Sequence, residues 1–182
     1  MLKNTSSTYG SVTKFFHWIM GILIIGIVIA GFIMTRMDPS DTKWFVYGTH
    51  KAFGVIILSL IPLRIIWRFL NKHPALPKTV PNWQKTAANA NILLLYILMV
   101  VMPLSGFIMS YYGGHPINMF GLFSIGTDLK NTELAKTAHF IHMNVSWVIA
   151  GSILLHIGAA LYHYLILKDT VVQKMLPGKS SS

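Results

Sequence analysis

TAHFIHMNVSWVIAGSILLHIGAALYHYLIL, residues 137–167, is the stretch that decides the fold. It is apolar for long enough to cross a hydrocarbon core of roughly 30 Å, which takes about 20 helical residues. Yet it carries four histidines, His139, His142, His156 and His163. Ionisable side chains inside a span are costly and mark function by default. On a helix, His142 and His156 return to within about 40° of one another and stand about 21 Å apart along the axis. One face therefore offers two ligands at two depths. His163 continues that stripe one heptad further and His139 precedes His142 by a turn, so phase alone does not decide which two of the four bind a metal.

Working outward, three more apolar runs precede this one, at about 15–34, 46–67 and 87–111. The whole chain is 53% hydrophobic and 11% charged, against about a quarter charged in a soluble domain. Lipid is the expected solvent. The sequence predicts an all-α integral membrane four-helix bundle, one transmembrane domain over residues 1–182. No small-residue cleavage site follows the first run, so it reads as a retained helix behind a short polar leader, Met1 to Lys14. Residues 71–86, with Pro74, Pro77 and Pro81, form a connector, and Ser180 to Ser182 a serine-rich tail. Pro62 and Pro103 fall inside spans, where neighbouring helices can satisfy the freed carbonyls. The absence of cysteine excludes disulfides, iron–sulfur clusters and covalent haem attachment.

Four spans put both termini and the second loop on one side. That side collects ten Lys and Arg residues, with Asp169 its lone acid, whereas the first and third loops carry five basic residues against four acidic ones. The positive-inside rule then predicts cytoplasmic N and C termini in a bacterial inner membrane. Basic residues that flank hydrophobic spans suit anionic lipid headgroups, not nucleic acid, which is excluded as a partner.

Depth supplies partners for the fourth span. His50 begins the second span on the non-cytoplasmic side, where His142 also lies. His17 begins the first span on the cytoplasmic side, where it can meet His156 or His163; depth slightly favours His163. Two facing imidazoles from different helices are what a six-coordinate haem iron requires. A zinc site suits them less, because histidines split over two depths cannot close one tetrahedron. His73 and His115, beside prolines in loops, read as surface residues. Gly48 and Gly54 flank His50, Gly151 and Gly158 flank His156, and Gly21, Gly26 and Gly31 line the first span; they leave room for a flat macrocycle or for another helix. Arg64 and Arg68, one turn apart, are candidate partners for haem propionates or lipid-facing cations.

These residues carry a resemblance. Tyr9-Gly10, Phe16-His17-Trp18, His50-Lys51 with Gly54, Arg64 with Trp67-Arg68, Pro103-Leu104-Ser105-Gly106, His142 with His156 and His163, and Lys168-Asp169 together resemble the bacterial-type cytochrome b561 family over nearly the whole chain. That family is related to the cytochrome b subunits of hydrogenase and formate dehydrogenase. The resemblance implies two haem b groups, one held by His17 and His156 and one by His50 and His142, and leaves His163 as a quinone-site or supporting residue. The chain departs from the family in one place: many members have a histidine early in the third span, where Asn89, Asn91 and Ile92 stand here.

The expected function is electron transfer between a periplasmic-side donor, superoxide included, and the membrane quinone pool, either as a superoxide:quinone oxidoreductase or as an electron carrier. The alternative is a haem-bearing anchor subunit that relays electrons for a separate periplasmic redox protein. Arg36, Lys43, Lys51, Lys130 and Lys136 can attract an anion, but Asp38, Asp41, Asp128 and Glu133 nearly cancel their field, so only a local arrangement can steer.

Overall fold

A computed structural model of the chain describes residues 1–77 and 79–176. Lys78, Lys179 and the serine tail of the sequence reading lie outside the described residues. The elements are α1 (Ser11–Met34), α2 (Asp41–Phe69), α3 (Asn82–Tyr112), β1 (Ile117–Asn118), β2 (Ser124–Ile125) and α4 (Thr132–Tyr162), followed by a π-helical turn, His163–Leu167. The four long helices contain 24 to 31 residues, about 36 to 46 Å at 1.5 Å per residue, and all are apolar enough to span a membrane. Each begins before its predicted apolar run, and in α2 and α4 a polar side chain caps the added first turn. Ser40 accepts a hydrogen bond from the Lys43 amide at the start of α2, and Asn131 accepts one from Leu134 at the start of α4.

The outside of the bundle is its most apolar part: Ile22 and Leu154 are 64% and 70% exposed, as expected where lipid is the solvent. Inside, Met20 and Ile24 of α1, Ile57 and Ile61 of α2, Leu98, Met99 and Met102 of α3 and Ile149 of α4 form one core. Ile149 stands midway on α4 between His142 and His156, so this core separates two levels of the bundle.

The leader, the second loop and the last described residues meet at one end of the bundle. Lys14 Nζ donates to the Leu176 carbonyl and Lys174 Nζ to the Ala75 carbonyl, both at 2.7 Å. The leader is organised by Asn4, whose side chain accepts from the Gly10 amide and Thr13 hydroxyl and donates to the Lys72 carbonyl. We call this the terminal end. Two features were not announced by the apolar pattern, one at each end of the bundle. The loop after α3 folds into an antiparallel hairpin, Ile117 opposite Ile125 and Asn118 opposite Ser124, whose strands are too short to show a period. Fully buried Ile117 packs with Ala52 and Met119, which lays the hairpin against α2. At the terminal end, in turn, the fourth apolar run does not continue as one α-helix to Leu167: it widens at His163 and stops at Lys168, which adopts a left-handed conformation with φ 50°.

Candidate cofactor sites

At the hairpin end, α2 and α4 bring His50 and His142 together with ring centroids 6.2 Å apart. The His142 ring is fixed by α3. Its Nδ1 lies 2.9 Å from the Met102 carbonyl and 3.3 Å from the Ser105 hydroxyl, which itself donates to that carbonyl. A carbonyl can only accept, so Nδ1 carries the proton and Nε2 keeps its lone pair. Gly106 makes the approach possible: a Cβ there would stand 2.8 Å from His142 Cε1. Across the site, a Cβ on Gly31 would come within 3.3 Å of His50 Cε1. His50 Nδ1 is buried without a hydrogen-bond partner among the described residues. Around the pair opens a cleft of about 1040 Å³, part of it open to the surroundings, lined by all four helices and Ile117. Arg36 and Lys51 stand in its wall, with no acid among its described lining.

At the terminal end, α1 and α4 bring His17 and His156 together with centroids 6.0 Å apart. Depth matching leaned toward His163 as the partner of His17, but His163 is engaged elsewhere, its Nδ1 2.5 Å from Asp169 Oδ2. Arg64 donates to the Phe16 carbonyl at 3.1 Å and approaches the Tyr96 hydroxyl at 3.4 Å. Arg68 lies over the Tyr96 ring, 4.7 Å from its centroid. Tyr9 joins this cluster from the leader; burial pushes its phenol above the ordinary value against the opposing pull of Arg68, which keeps it a neutral donor. Among the described residues, neither arginine has an acidic partner.

Of the remaining sequence candidates, His139, His73 and His115 are exposed. The glycines divide. A Cβ on Gly21, Gly26, Gly48, Gly54, Gly151 or Gly158 would meet nothing within 4 Å, so these positions border open space and do not seat a neighbouring helix. Against the paired histidines the tight approaches are those of Gly31 and of Gly106 in the Pro103–Gly106 motif. Asn91, in the stretch where relatives of this type carry a histidine, is buried and donates to the Ser152 carbonyl at 3.2 Å. Among the described residues no three His, Asp or Glu side chains gather around one point; the histidines come in twos.

Such twos fit a porphyrin iron. A metal-bound imidazole nitrogen lies about 2 Å from the metal and about 1 Å from its own ring centre, so rings on opposite sides of one ion stand about 6 Å apart. Both pairs meet that spacing. A bundle of apolar helices with facing imidazoles at two levels has the architecture of a membrane cytochrome b. The family model for prokaryotic cytochrome b561 matches residues 8–178, and the chain belongs to that family. It is 32% identical over 183 residues to Cytochrome b561 homolog 2 of Escherichia coli (strain K12), covering 98% of this chain and 96% of that one. Cytochrome b561 homolog 1 of the same organism and the Probable superoxide oxidase CybB of Yersinia pestis are each 29% identical over 167 residues, 90% of this chain. Those alignments cover 93% and 92% of the respective relatives. The family implies haem b, and with it an electron-transfer role in a bacterial membrane.

Proposed function

We propose that the chain is a di-haem b protein that takes electrons at its hairpin end and delivers them to the membrane quinone pool, with superoxide as the donor. The observation that carries this reading is the pair of imidazole pairs, 6.0 and 6.2 Å between centroids, each from two different helices and separated by the apolar core. Haem b bound between such imidazoles supplies one-electron redox chemistry with no open coordination position.

The chain's own residues account for the rest. His50 and His142 are the ligands at the hairpin end, and the Met102 carbonyl holds the His142 tautomer that leaves Nε2 free to bind. His17 and His156 are the ligands at the terminal end, where Arg64 and Arg68, without acidic partners among the described residues, would pair with propionates. Arg36 and Lys51 line the cleft with no acid among its described lining, which favours a small anion such as superoxide. His163, with Nδ1 committed to Asp169, presents Nε2 as the atom that exchanges a proton with quinone. The balance is two superoxide anions oxidised to two O₂, and one quinone reduced to quinol with two electrons and two protons. The chain's similarity to the Probable superoxide oxidase CybB supports superoxide as the donor.

The test is quinone reduction by the purified, haem-loaded chain in detergent, driven by a superoxide-generating system with no other protein present. Quinol formation is expected at the expense of superoxide. A chain that reduces quinone only when a separate redox protein is added is a relay subunit, and the superoxide reading fails.

A further inference from the structure

The hairpin ends in a feature that electron transfer leaves unused. From Pro116 to Thr127 twelve consecutive residues carry no charge. At the tip, Phe120, Leu122 and Phe123 are 54%, 83% and 59% exposed. A loop that faced only water would be expected to be polar at such positions; an exposed apolar cluster marks a contact.

The tip is also built at a cost. Phe120 and Gly121 both adopt positive φ, 56° and 83°. Glycine does so freely, but for a bulky residue such as phenylalanine it is an outlier. The conformation is held by Asn118, whose side chain accepts from the Gly121 amide, and by the Met119 amide donating to the Phe123 carbonyl at 2.8 Å. An over-determined, strained turn that exposes three large apolar side chains is a candidate for function.

Its height identifies what it meets. The Phe120 ring packs edge-on against Phe53 of α2, 5.4 Å between centroids. On α2, Lys51 is the last charge before Arg64, so Phe53 lies in the first turn of the uncharged run, about 3 Å below Lys51 along the axis. The tip therefore packs beside half-buried Phe53 of α2, at the level where polar and apolar layers meet. Apolar side chains of surface-bound elements seat at that depth, about 5–10 Å into the headgroup and acyl boundary.

We propose that the hairpin tip is a bilayer anchor: Phe120, Leu122 and Phe123 insert at the acyl–headgroup boundary and hold the hairpin across the His50–His142 cleft. The hold is transmitted through Ile117, which lines the cleft, and through Lys51, whose ammonium donates to the Pro116 carbonyl at 3.1 Å. This proposal stands on the membrane-spanning fold alone and survives failure of the superoxide reading.

Because the chain contains no cysteine, Leu122→Cys and Phe123→Cys each accept a single nitroxide label in the full-length protein reconstituted in phospholipid nanodiscs. Collision with oxygen, which partitions into acyl chains, is compared with collision with a water-soluble nickel chelate. Leu63→Cys on α2 and Asp128→Cys in the loop provide the lipid and water references. Labels at 122 and 123 are expected to resemble position 63, with a severalfold higher oxygen-to-nickel ratio than position 128. A ratio equal to that at 128 leaves the tip in water, available to a protein partner or a second copy, and overturns the proposal. For the coupling, the combined Leu122→Ser and Phe123→Ser variant is expected to speed amide exchange across residues 115–126 severalfold in nanodiscs. Exchange unchanged from the parent protein would show that the anchor does not hold the hairpin.

Discussion

Gly106 has no side chain because the ring of His142 occupies the place where one would stand. The ring cannot simply move aside, since its Nδ1 is bound to the Met102 carbonyl and neighbours the Ser105 hydroxyl. Gly106→Ala is therefore expected to tilt His142 off the axis it shares with His50 and to remove one of two haem equivalents, read as the ratio of pyridine haemochrome to protein. Gly48→Ala, where a Cβ meets nothing within 4 Å, is the matched control and should retain both. Histidine replacement makes the same division from the other side. His50→Ala or His142→Ala should remove one haem and spare the second, as should His17→Ala or His156→Ala. If His163→Ala strips a haem while His156→Ala does not, the assignment at the terminal end is wrong.

At the level of elements, the contact between α3 and α4 includes, besides the His142 contacts to Met102 and Ser105, a buried polar link from Asn91 to the Ser152 carbonyl. That carbonyl sits within α4, so removing the donor does not orphan it, and the cost should be that of one interhelical hydrogen bond in a membrane. Asn91→Ala is expected to destabilise the bundle by about 0.6 kcal/mol and not beyond about 1.7 kcal/mol, measured as a shift in detergent unfolding. A larger loss would mean that Asn91 supports a ligand-bearing segment of α4. The helices themselves were legible because four apolar runs of span length admit few other readings, and depth alone suggested His50 with His142; the choice of His156 over His163 beside His17 came only from the family resemblance, because both lie on one stripe of the helix. What stayed hidden has a common physical character. The Met102 carbonyl, the space above Gly106 and the partner of His163 are backbone or contact properties that no residue type encodes, and strands of two residues carry no periodicity. Even the turn that ends α4 follows from a contact: Asp169 binds His163 and returns its own amide to the His163 carbonyl. Asp169→Ala should accordingly speed amide exchange at residues 163–171 while leaving the middle of α4 unchanged.

For the whole molecule, the central question is which end faces which compartment, because the cleft beside His50 and the cluster around His17 would exchange roles if the bundle were inverted. The charges give the direction. The terminal end has Lys and Arg in large excess over its lone acid, whereas the hairpin end is nearly balanced. With short loops and long apolar helices, that bias predicts an orientation with the termini in the cytoplasm. In that orientation the cleft walled by Arg36 and Lys51 would open toward the periplasm, the side of the proposed anionic donor, and the Arg64, Arg68 and Tyr9 cluster would face the cytoplasm. The lack of cysteine turns this into a direct measurement. Ser7→Cys and Asp128→Cys place single thiols at exposed positions on opposite ends. In intact cells with a permeabilised outer membrane, a membrane-impermeant maleimide should label the thiol at 128 and reach the one at 7 only after the inner membrane is opened. Labelling in the reverse order would put the cleft in the cytoplasm and would sink superoxide from the periplasm as the donor, while leaving the paired imidazoles and the haems they are proposed to hold untouched.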